Sequence, residues 1–167
     1  MQPDLFLPAP TAEFSPCGRY RYTLTRRWRT EGDDCLWIML NPSTATADED
    51  DPTIRRCIAF SKSWGFAGLV VTNAYAWRAT DPDELVGLAD PVGPGNDTAL
   101  ERMIERHATI IVAWGKRAGT ERANKIALAA MIHGRTLMCL RHNDDRSPEH
   151  PLYVPGATTP VPWQPAG

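Results

Sequence analysis

At 167 residues, with 43% apolar and 23% charged side chains, the chain carries enough apolar material for one domain with its own core, which excludes wholesale disorder. Its 18 basic and 20 acidic residues leave a formal charge of -2, so no global electrostatic drive toward nucleic acid or an anionic membrane exists, although a local basic rim would not register in that sum. Four cysteines (Cys17, Cys35, Cys57, Cys139) form no Cys-x-x-Cys pair and no zinc-ligand spacing, which argues for reduced thiols and against a disulfide framework or structural zinc.

The opening Met1-Gln2-Pro3-Asp4-Leu5-Phe6 lacks the basic start and long apolar stretch of a signal peptide, and no apolar run approaches a membrane span; a cytoplasmic location and no membrane partner are expected. Prolines crowd both ends, so residues 1–16 and 156–167 read as extended or loosely docked tails around a single domain with its core at about 17–155. Arg19 to Thr25 alternates aromatic or apolar with polar residues and predicts an edge strand with one solvated face.

Cys35 to Leu40 is apolar at both parities, as in a central strand covered on both sides, and it stops at Asn41-Pro42-Ser43-Thr44. Asp51 then serves as an N-cap with Pro52 at the first helical position, followed by an inner stripe of Ile54, Cys57, Ile58, Ser61 and Trp64. Gly68 to Asn73 is a second buried strand. Asn96 or Asp97 caps a helix with Leu100, Met103, Ile104 and His107 inward, and Thr109 to Trp114 is a third strand. Gly119 to His133 is a helix with Ala123, Ile126, Ala127, Ala130 and Met131 inward, and Arg135 to Leu140 is the last strand. Right-handed crossovers make this an α/β three-layer sandwich: a central, mainly parallel four-stranded sheet plus an N-terminal edge strand or hairpin.

In such a sheet the carboxyl ends of the parallel strands share one rim, where open α/β sheets bind ligands, so Asn41, Asn73, Trp114-Gly115 and Arg141-His142 are expected to converge. The long segment after Asn73 adds Tyr75, Trp77, Arg78 and Thr80; flat rings and a planar cation suit a base and a phosphate, the alternative being aromatic plugs at the sheet edge. Arg55 and Arg56 are candidate phosphate holders, one of them alternatively neutralising Asp48-Glu49-Asp50-Asp51. That acidic run offers oxygen ligands for magnesium, but carboxylates ahead of a helix N-terminus account for it more simply, and no metal is assigned. Trp114-Gly115-Lys116-Arg117-Ala118-Gly119, with two glycines and two cations between a strand and a helix, is a mild phosphate-binding signal without P-loop or dinucleotide spacing, so no cofactor is assigned either. His142 and His150 follow the last strand at the rim, whereas His107 and His133 fit packing or helix-ending roles. No Gly-x-Ser-x-Gly elbow or cysteine nucleophile is present.

From about Arg19 to Pro155 the chain resembles a bacterial and phage family, domain-of-unknown-function family 1643. The motifs that carry the resemblance are Met39 to Ala45, Asp51 to Cys57, Arg78 to Pro82, Gly95-Asn96-Asp97 and His150-Pro151-Leu152-Tyr153. The same motif order is more distantly similar to the uracil-DNA glycosylase superfamily, especially its mismatch-specific branch, through Asn41-Pro42, Arg56 to Trp64, Val71-Thr72-Asn73 with Arg78-Ala79-Thr80, and Trp114 to Ala118. That resemblance implies that Asn41 positions an attacking water, Asn73 reads a base edge and the loop near His150 grips phosphate. The element that enters the minor groove there survives only as Arg146-Ser147-Pro148 and His150-Pro151-Leu152.

The rim residues favour a planar, polar, phosphorylated ligand, and the resemblance implies an N-glycosidic-bond hydrolase acting on a nucleobase in nucleic acid or nucleotide. Asn41 and His150 are its expected catalytic residues; Pro42, Ser43, Thr44, Arg55, Arg56, Asn73, Tyr75, Arg78, Thr80, Asn96, Asp97, Trp114, Gly115, Lys116 and His142 are expected to contact the substrate. Alternatives are a non-catalytic nucleotide or nucleic-acid binding domain and a hydrolase of an unrelated small substrate. The expected partner is a nucleotide, a modified base or nucleic acid, and no oligomeric state is implied.

Overall fold

The computed structural model describes residues 6–166. In chain order they form β1 Thr11–Phe14, β2 Arg21–Arg27, β3 Asp34–Met39, α1 Pro52–Ser63, β4 Gly68–Asn73, α2 Asn96–Arg106, β5 Ile110–Val112, α3 Thr120–Ile132, β6 Leu137–Cys139 and β7 Val161–Pro162. Single 3₁₀ turns occupy Pro82–Leu85 and Pro151–Tyr153. The fold is mixed α/β, with one seven-stranded sheet of order β1-β2-β4-β3-β5-β6-β7. Pairings β4/β3, β3/β5 and β5/β6 are parallel, while β1/β2, β2/β4 and β6/β7 are antiparallel.

The sheet is therefore larger than four strands with an N-terminal addition, and both proline-rich ends contribute to it. Thr11-Ala12-Glu13-Phe14 is a proline-free quartet between Pro10 and Pro16 that pairs with β2. At the opposite edge Val161 and Pro162 pair with Cys139 and Met138, an edge being where the missing proline N–H is tolerated. Trp163 follows, only 4% exposed, with its ring edge-on to Trp114 at 5.1 Å and its Nε1 donating to the Arg146 carbonyl at 3.0 Å. The C-terminal segment is thus docked through a buried aromatic ring.

Two apolar layers explain the lack of a polar face in the central strands. Trp37, Met39, Leu69, Val71 and Ile111 pack with Ile54, Cys57 and Phe60 of α1. Leu36, Ile38, Val70, Ile110 and Val112 pack with Leu100 and Ile104 of α2 and Ile126 and Ala130 of α3. Asp51 caps α1, accepting from the Ile54 N–H at 2.9 Å, with Pro52 at the first position. On that helix Phe60 is buried while Ile58 and Trp64 are half-buried.

Several local expectations are corrected. Gly95, not Asn96 or Asp97, precedes α2, and no side chain caps it; the Asn96 amide instead turns back to donate to the Asn73 and Ala74 carbonyls. His107 ends the helix, its Nδ1 2.7 Å from the Met103 carbonyl. Met131 of α3 is exposed, and Arg122 joins the buried residues of that helix, its Nε donating to the Ala74 carbonyl at 2.6 Å. β2 is buried from Arg21 to Leu24 rather than half solvated. A loop covers Arg21 through the Ala45 carbonyl, and Gly95 lies so close to the Tyr22 ring that a Cβ there would sit 2.9 Å from its Cζ.

Candidate functional site

β3 and β4 run parallel in a register that sets Met39 beside Asn73, so both strands release the chain at the same rim. Above it opens a cleft of about 420 Å³, within the range of small-molecule sites. Asn41, Ser43, Asn73, Thr80, Trp114, Gly115, Lys116 and His150 all line it, together with Arg21, Asp51, Leu152 and Tyr153. Segments far apart in sequence are gathered here because parallel crossovers return each strand end to one side of the sheet.

Asn73 is 1% exposed, yet neither its Oδ1 nor its Nδ2 has a protein hydrogen-bond partner. A buried polar atom left unpaired costs about 1–3 kcal/mol, and Asn73 is part of the cleft lining. Asn41 is oriented by its surroundings. Its Nδ2 donates to the Ala79 carbonyl at 2.8 Å and to the Pro42 carbonyl at 3.1 Å. Both partners accept only, which fixes the amide and leaves Oδ1 as the acceptor.

His150 begins the Pro151–Tyr153 turn, where its Nδ1 accepts from the Leu152 N–H at 3.2 Å. With Nδ1 an acceptor, the neutral ring carries its proton on Nε2 and offers a donor there. Burial holds the imidazole below its ordinary value of 6.5, with Asp51 pulling weakly the other way. Asp51 itself has both oxygens engaged, Oδ1 by Ile54 N–H at 2.9 Å and Oδ2 by Ala45 N–H at 3.4 Å.

Arg21 completes the cleft on the β2 side. It is 2% exposed, its Nη1 donates to the Ala45 carbonyl at 2.8 Å, and its Nε has no protein partner. Sequence patterning hid it, because alternation in β2 marked its polar residues as solvent-facing. In the sequence Asp51 stands out as a helix cap and as part of an acidic run, not as a wall of the cleft.

Other expected contacts lie elsewhere. Pro42 is buried and Thr44 exposed, and neither lines the cleft although both adjoin residues that do. Arg55 is exposed and donates to the Asp50 carbonyl at 2.8 Å. Arg56 reaches the Pro151 and Val154 carbonyls and lies over Phe60 at 4.8 Å, bracing the 3₁₀ turn that presents His150. Tyr75 donates to the Ala118 carbonyl, and Trp77 meets Tyr20 edge-on at 5.4 Å. Arg78 donates to the Gly18 carbonyl at 3.1 Å and covers Phe14 at 4.9 Å, fastening the N-terminal hairpin. Asn96 is buried beneath Asn73, as above, and Asp97 pairs with Arg122 and Lys125. His142 is exposed beside the last strand, so the Arg141-His142 end does not reach the cleft. These long polar side chains have found backbone carbonyls or counter-charges.

At the mouth, Lys116 pairs with Asp144 and Arg117 with Asp83, all on exposed side chains. In the acidic run, Asp50 pairs with Arg26 at 2.8 Å and Asp51 is the cap. Among the described residues no cluster of three or more potential metal ligands occurs, and no helix is long and apolar enough to cross a membrane.

A family model described as a protein of unknown function (DUF1643) matches residues 21–152. No curated protein and no solved structure matches the chain. The matched span runs from Arg21 to Leu152, taking in the cleft from its β2 side to the turn that follows His150. The chain belongs to the DUF1643 family.

Proposed function

We propose that the protein is an N-glycosidic-bond hydrolase whose cleft accepts a nucleobase carried on a nucleotide or a nucleic acid. The observation that carries this reading is Asn73, a buried amide in the lining of the cleft with both polar atoms unpaired. Adjacent donor and acceptor atoms on one rigid amide match the hydrogen-bonding edge of a base, and a ligand lacking that edge would leave them unsatisfied. Two features are consistent with a glycosylase-like architecture: β4, β3, β5 and β6 are mutually parallel, and Asn41-Pro42 follows β3 after Leu40.

The chemistry follows from the donors and acceptors. Loss of the base through an oxocarbenium-like transition state demands little of the nucleophile, so a water held by Asn41 Oδ1 suffices without a strong base. Electron density moves onto the base as the bond breaks, where a neutral His150 can donate from Nε2. The water adds to the sugar carbon and yields its proton to solvent or to the departing base.

A binding-only reading draws on Asp51, whose oxygens both accept backbone N–H groups and serve to hold the start of α1. The two readings separate on single- and double-stranded oligonucleotides and free nucleotides bearing uracil, mismatched or modified bases, assayed for released base. Catalysis predicts release that falls about 10²–10³-fold in Asn41→Ala with ligand affinity retained. Ligand-induced stabilisation without release from any substrate supports binding alone.

A further inference from the structure

Arg21 is a buried guanidinium without an ion pair. Among the described residues no carboxylate lies within 4.0 Å of it, and the one hydrogen bond it makes, Nη1 to the Ala45 carbonyl, is to a neutral acceptor. Its Nε is buried and unpartnered. The charged groups around it do not cancel it: Asp51 favours its charge, while Arg78 and Arg26 oppose it, and burial pushes the guanidinium down to about 10. Asp51 acts on Arg21 only through space, its oxygens accepting from two backbone amides rather than from the guanidinium, and Asp50 pairs with Arg26. A charge removed from water in this way is ordinarily matched by a partner. Arg21 also lines the cleft that holds Asn73.

We propose that Arg21 is the anion-accepting group of the cleft, taking a negatively charged oxygen or nitrogen on the inner end of the ligand. The inference rests on the reading above in one respect: under that reading the negative charge is the one left on the base as the glycosidic electron pair departs. Arg21 is then the group that faces the leaving base from the β2 side while His150 donates from the start of the Pro151–Tyr153 turn. The glycosidic bond breaks with its electron pair going to the base, water supplies the new bond to the sugar, and the guanidinium loses no proton at any step. The same cation makes the site selective. It has donors and no acceptor, so the atom turned toward it must accept, as a carbonyl oxygen, a ring nitrogen or an anion does and an exocyclic amine does not.

The test is a series of free bases of one shape and rising N–H acidity: uracil, 5-fluorouracil and 5-nitrouracil. Their binding to the full chain is followed by calorimetry at fixed pH and ionic strength, with inorganic phosphate and acetate as non-base anions. Affinity is expected to climb with acidity, by tenfold or more across the series. In Arg21→Gln the climb should vanish while the least acidic base still binds. Arg21→Lys keeps the charge and should retain the climb at lower affinity, which covers the case in which the glutamine variant does not fold. A series that binds with no dependence on acidity, or a dependence that survives in Arg21→Gln, overturns the assignment of Arg21 and leaves the glycosidic reading standing. Should the bases fail to bind while phosphate or acetate stabilises the wild-type chain and not Arg21→Gln, the anion site stands and the glycosidic reading falls. If neither bases nor anions bind, both are overturned.

Discussion

His150 illustrates how one hydrogen bond sets the chemistry of a residue. The Leu152 N–H occupies Nδ1, so the proton of the neutral ring belongs on Nε2, and burial favours that neutral form. The native state holds this ring below 6.5, so the unfolded chain binds the proton more readily. Stability is therefore full above the unfolded value and is lost as pH falls below it toward the native value. Thermal unfolding between about pH 7.5 and pH 5 should show the wild type losing stability relative to His150→Gln, a side chain that does not titrate. An identical pH dependence in both proteins would exclude this linkage. At the same scale, Asn41 and Asn73 were legible because each carries an amide at the carboxyl end of an apolar run, Asn41 after Leu40 and Asn73 after Thr72. Arg56 and Arg78 were not, since a long cation reaches backbone carbonyls that no local pattern reveals. Arg21 was hidden for the opposite reason: a polar residue in an alternating strand reads as solvated until the loop that covers it is known.

The element with two duties is the start of α1. Asp51 caps the helix and also lines the cleft, so its removal tests stability and site together. Asp51→Ala is expected to lower stability by about 0.5–2 kcal/mol, the usual range for a lost N-cap, measured by denaturant unfolding. Asp51→Asn retains an oxygen for the Ile54 N–H and should recover most of that loss while removing the charge beside Arg21. Equal destabilisation by both would mean that the negative charge, rather than the cap, holds this corner. Helices and central strands were readable from periodicity because α1, α2 and α3 cover both faces of the sheet. Where the helix periodicity failed, tertiary partners decided the outcome. Arg122 occupies a buried position through the Ala74 carbonyl and Asp97, and Met131 is left outside.

At the scale of the whole molecule, the rim was the most legible property, because topology alone brings the ends of β3, β4 and β5 to one side. The edges were the least legible. Prolines near both ends pointed to tails, whereas β1 and β7 pair with the sheet through short stretches that strand propensity cannot single out. Those pairings also connect to the site, since Trp163 packs on Trp114, a residue of the cleft. Trp163→Ala should cost about 3–5 kcal/mol, as for other buried tryptophans, and its unfolding curve should shift accordingly.

The two-residue strand β7 has a consequence for how the protein behaves in company. It occupies the outer side of β6, and its Pro162 presents no N–H outward. A chain ending at Thr159 would bare the backbone of Leu137–Cys139 beside the exposed side chains of Leu128 and Met131, a combination that invites strand-to-strand aggregation. Light scattering of that truncated chain should rise with concentration, and Trp163→Ala, which keeps β7, should stay clear at temperatures where it remains folded. Val161 and Pro162 are thus placed to cover an edge that would otherwise be open to another chain.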